Sequence, residues 1–121
     1  MTKVGSAAYR WIEANAQGML ETPDEGFDWV FMLTESDWKL IEESWEDRPP
    51  HFREALAYIV CCGPPIQSRN MLIRALSDAN NDVAVQAAES LVEQQRLFGD
   101  DFPILDDATM QRVIELTTSD A

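Results

Sequence analysis

LSDANNDVAVQAAESL, residues 76–91, decides how this chain is read. Its run of small, mostly polar residues at 77–82 breaks the chain between two apolar patterns. Asp82 then stands where a side-chain oxygen can accept from the free N–H groups of a helix start. Val83, Ala87, Ala88, Leu91 and Val92 follow at the three- and four-residue spacing of one helical face. Working back from it, Met71, Leu72, Ala75 and Leu76 form a similar face, with Ser68 as a cap. This is a helix, a tight break and a second helix.

The same grammar recurs outward in both directions. Phe52, Ala55, Leu56, Ile59 and Val60 form an amphipathic stripe opened by Pro49 and Pro50 and closed by Gly63, Pro64 and Pro65. Before it, Thr34 or Ser36 caps a helix carrying Trp38, Ile41 and Trp45, which must stop near Arg48 because proline disfavours helical geometry in the residue preceding it. Arg48 is expected to neutralise the free carbonyls there. Residues 4–17 place Val4, Ala8, Trp11 and Ile12 on one face. ETPDEGFDW reads as a loop, and Asp28 as the cap of a short helix through Leu33. Asp106 or Asp107 caps a last helix facing inward through Met110, Val113 and Ile114. No segment alternates as a strand does. The class is all-α, with about six helices.

Sliding the chain by 32 positions lays KLIEESWEDRPPHFREALAYIV over MLIRALSDANNDVAVQAAESLV without a gap. Leu40 meets Leu72, Ile41 meets Ile73, Ala55 meets Ala87 and Val60 meets Val92, while Pro50 falls on Asp82 where each second helix begins. LIRALSDANNDVAVQAAESL, residues 72–91, resembles a HEAT-type repeat: a first helix ending in a leucine pair, a short turn with Asp or Asn, and a second helix reading V-x-x-x-A-A-x-x-L. Ala84 departs from that pattern, which commonly carries arginine there and uses it in a ladder between repeats. The resemblance implies antiparallel helix pairs stacked as a short superhelix. It would form one domain over residues 1–121, with units at about 37–62 and 68–96 between divergent capping helices.

Composition narrows the function. A chain of 121 residues is long enough to bury a core without metal or disulfide support, and no stretch has the roughly 20 apolar residues that span a bilayer. The polar, periodic start lacks the apolar core of a secretory signal, and the adjacent Cys61 and Cys62 read as thiols. A cytoplasmic protein is expected. Its net charge of −13 repels phosphate backbones and anionic lipid, so neither nucleic acid nor membrane is an expected partner.

No catalytic or cofactor-binding constellation emerges. His51 lies about 15 Å along its helix from Cys61 and Cys62, too far for a nucleophile pair or a shared metal. Asp100, Asp101, Asp106 and Asp107 lack the spacing of a calcium loop. What stands out is residues 21–47, where ten carboxylates face the single base Lys39 and alternate with Phe27, Trp29, Phe31, Trp38 and Trp45. Asp24, Glu25, Asp28, Trp29, Glu35, Asp37, Trp38, Glu42, Glu43, Glu46 and Asp47 are therefore the expected partner-binding residues. Trp38 and Trp45 also share a helical face, where core packing accounts for them.

Trp38, Trp45, Arg48 and Pro49, leading into REALAYIV and the HEAT-like unit, give the chain a likeness to bacterial immunity proteins of contact-dependent growth inhibition and related polymorphic toxin systems. That resemblance implies a non-catalytic inhibitor of a cognate toxin domain. A basic nuclease would suit the acidic surface. The alternative is a cytoplasmic helical-repeat scaffold or adaptor.

Overall fold

A computed structural model describes residues 5–18, 21, 24–99 and 105–118, apart from the side chains of Gln17, Cys62 and Phe98. Val4, Asp100 and Asp101, named above from the sequence, lie outside the described residues. Within them the chain is all-helical, without strands. Its helices are α1 (Ala7–Asn15), α2 (Asp24–Val30), α3 (Glu35–Glu43), α4 (Pro50–Ile59), α5 (Pro65–Ala75), α6 (Asn81–Phe98) and α7 (Asp107–Thr118). Single 3-10 turns extend α1, follow α3 at Trp45–Asp47 and extend α4 at Val60–Cys62. None of these helices is long and apolar enough to cross a membrane.

Residues from all seven helices meet in one core, through Ala8, Tyr9 and Ile12 of α1, Val30 of α2, Trp38 and Ile41 of α3, and onward to Val113 and Leu116 of α7. Its centre is the contact of α4 with α6, with α5 and α7 also packed on α6. Ala55 and Ala57 on one side and Ala84, Ala87 and Ala88 on the other are buried, and small side chains let the two backbones approach. The Ser90 hydroxyl crosses this contact to the Ala57 carbonyl at 2.8 Å. Ala84 is therefore a packing residue. An ion pair does join α4 to the turn between α5 and α6: Arg53 Nε lies 2.9 Å from Asp78 Oδ2, both side chains nearly buried.

Several helix starts differ from the sequence reading. Helix α2 begins at Asp24, whose carboxylate and that of Glu25 occupy the positive end, so Asp28 is in its body and is not its cap. Asn80 rather than Asp82 caps α6, accepting from the Asp82 and Val83 N–H groups at 3.0 and 3.3 Å. Ser68 is buried inside α5 and donates to the Pro64 carbonyl, because Pro65 already opens that helix. Asp106 does cap α7, accepting from the Thr109 N–H at 2.7 Å. The inward face of α7 is Val113 with Leu116, leaving Met110 and Ile114 substantially exposed; Val92 on α6 is 47% exposed.

Candidate functional site

The acidic segment folds into α2, α3 and the 3-10 turn that follows. Thr34 starts α3 with a capping box: its hydroxyl accepts from the Asp37 N–H at 3.1 Å, and Asp37 accepts from the Thr34 N–H at 2.8 Å. Asp37 also takes the Ser6 N–H at 2.9 Å and the Ser6 hydroxyl at 2.5 Å. Ser6 is itself the cap of α1. Burial opposes the Asp37 charge, yet the bonds from Ser6 and Thr34 outweigh it and hold the carboxyl below the ordinary range. One buried carboxylate thus joins two helix starts. Asp37, expected at the partner surface, is 1% exposed and structural.

The tryptophans are also drawn inward. Trp45 is buried and its indole N–H donates to Asp78 Oδ2 at 2.9 Å. Trp38 is 6% exposed, and its indole N–H has no hydrogen-bond partner. It forms one wall of a cleft of about 360 Å³ between α3 and α5, completed by Glu42, Gln67, Asn70, Met71 and Arg74. Trp29 is half-buried against Trp11, with ring centroids 6.1 Å apart, and its N–H reaches Glu25 at 3.4 Å. None of the three tryptophans is a freely exposed anchor.

The remaining acids behave differently. Asp24, Glu25, Asp28, Glu35, Glu42, Glu43, Glu46 and Asp47 are all exposed. Glu46 pairs with Arg74 at 3.2 Å across an open surface. Glu42 and Glu43 occupy the last turn of α3, which carries no base. A carboxylate at that negative end is unfavourable by about 0.3–1 kcal/mol each, the reverse of the usual arrangement. Directly between α2 and α3, Phe31 and Met32 are 58% and 63% exposed. The sequence predicts a helix running through both to Leu33, whereas α2 ends at Val30. The capping box at Thr34 was the available signal, since it forces a turn immediately before α3 and ends α2 at Val30.

Arg48 does not serve the helix carbonyls. Its Nε donates to the Ser44 hydroxyl at 2.9 Å, while its Nη atoms donate to Glu13 and to the Tyr9 hydroxyl. The guanidinium also lies 4.7 Å from the centre of the Phe52 ring, so it fastens α1 to the start of α4. His51 is exposed and Cys61 buried. Among the described residues no group of three or more His, Cys, Asp or Glu side chains could hold a metal ion. No family model, curated protein or solved structure matches this chain.

Proposed function

We propose that this chain is a non-catalytic immunity protein that acts in the cytoplasm by binding and neutralising a cognate basic toxin domain of nuclease type. The acidic surface of α2, α3 and the following 3-10 turn is the binding face. The observation that supports it is the placement of Glu42 and Glu43 at the negative end of α3, followed by exposed Glu46 and Asp47. Fold stability gives no reason for acids at 42 and 43. A partner that binds phosphate does, because its cationic site is complementary to such a surface. Complementary charge raises association from about 10⁵–10⁶ M⁻¹s⁻¹ towards 10⁸ or above at low salt. Speed matters to a cell neutralising an incoming toxin.

The test is a nuclease assay with a toxin domain encoded beside this chain. Stoichiometric addition should abolish cleavage of nucleic acid, and full activity in the presence of excess protein would defeat the proposal. The adaptor reading draws on a different surface, an apolar groove of about 330 Å³ along α6 and α7 lined by Val92, Leu105 and Met110 among others. A partner held there would dissociate on substitution of Val92 or Met110 and ignore charge reversal on α3.

A further inference from the structure

We propose that Phe31 and Met32 are the apolar anchor with which the acidic face grips a basic protein, in a partner pocket ringed by lysine or arginine. This rests on the proposed binding of a basic partner and identifies what holds the complex once charge has assembled it. The two side chains are exposed because the backbone holds them out. The Met32 N–H donates to the Trp29 carbonyl at 2.9 Å and the Leu33 N–H to the Val30 carbonyl at 3.4 Å. Val30 on one side and Leu33 on the other are buried, and Thr34 begins α3 immediately afterwards. The turn is therefore fixed at both ends. Neither Phe31 nor Met32 can fold into the core without dislodging Val30 or Leu33.

The surroundings define the occupant. Asp24, Glu25 and Asp28 lie on α2, a helix only about 10 Å long, and Glu35 opens α3. Asp28 stands three and four residues before Phe31 and Met32 and Glu35 four and three after them, so carboxylates flank the apolar pair on both sides, as charged rims flank the apolar centre of a protein interface. Nucleic acid and anionic lipid are repelled by that rim, whereas a cationic protein surface with an apolar hollow meets both parts. Rim charge governs the rate of encounter, and the desolvated anchor governs the lifetime of the complex.

The probes are two synthetic peptides of equal positive charge, one of lysine and leucine and one with serine in place of each leucine. They are titrated into the full chain at low salt while the methionine methyl resonances are followed. The leucine peptide should shift the Met32 methyl saturably and bind about tenfold tighter than the serine peptide, the scale of a single interface anchor. The methyl of buried Met71 should stay in place. Phe31→Ser should erase the preference, leave the weak serine-peptide affinity unchanged and keep the helical circular dichroism. Equal binding of the two peptides would overturn the anchor while sparing the acidic-face reading. A shift at Met110 in place of Met32 would also overturn it, and binding of neither peptide would overturn both.

Discussion

Asp78 lies in the turn between α5 and α6 with its side chain almost fully buried. The Arg53 guanidinium, the Trp45 indole N–H at 2.9 Å and the Asn80 N–H at 2.9 Å converge on its carboxylate. Burial works against its charge, but these bonds and the Arg53 charge prevail and lower its affinity for a proton. Removing one member of such a pair leaves the other charged and buried, so Asp78→Ala should cost about 3 kcal/mol or more in denaturant unfolding. Arg74→Ala, which breaks the open pair with Glu46, should cost under about 1 kcal/mol. Because the folded-state pKa values of Asp37 and Asp78 are both depressed, their contribution is complete above the unfolded value of about 3.9 and is lost as pH falls through the folded values. Stability should therefore decline below about pH 4, and the decline should be shallower in Asp78→Asn. An equally steep acid limb in that variant would remove Asp78 from the explanation.

At the scale of elements, α3 combines a well-made start with a poorly made end. Thr34 and Asp37 satisfy its first N–H groups, while Glu42 and Glu43 sit against its negative end. Replacing both by lysine should raise the melting temperature, with a gain on the order of 0.5–2 kcal/mol in total. A fall would show that these acids serve the fold. The helices themselves were legible in the sequence because their apolar spacing, prolines and glycines are local signals. The stripe Phe52, Ala55, Leu56, Ile59 and Val60 is buried throughout. Sequence and structure part where two residues compete for one local role. Asn80 and Asp82 could each cap α6, and only the path of the turn chooses between them. The partner surface was half legible for a related reason. Carboxylates announce exposure, but an aromatic residue can pack or protrude, and tertiary contacts drew in Trp38 and Trp45 while leaving Phe31 out.

For the whole molecule, the charge of −13 is unevenly held, with nine of the thirteen net charges in residues 21–47. Asp37 is withdrawn into the fold, and the other nine carboxylates of that segment, like Phe31 and Met32 within it, are exposed. Such a field acts beyond contact distance and is screened within about 10 Å at 0.1 M salt. Encounter with a basic partner should therefore slow steeply as salt is added. The most direct measurement is the association rate of a toxin nuclease domain with Glu42→Lys, Glu43→Lys, Glu46→Lys and Asp47→Lys combined, by stopped flow at low salt. With circular dichroism unchanged, the rate should fall about tenfold or more and lose most of its salt dependence. A rate equal to that of the original chain would contradict binding through the acidic face.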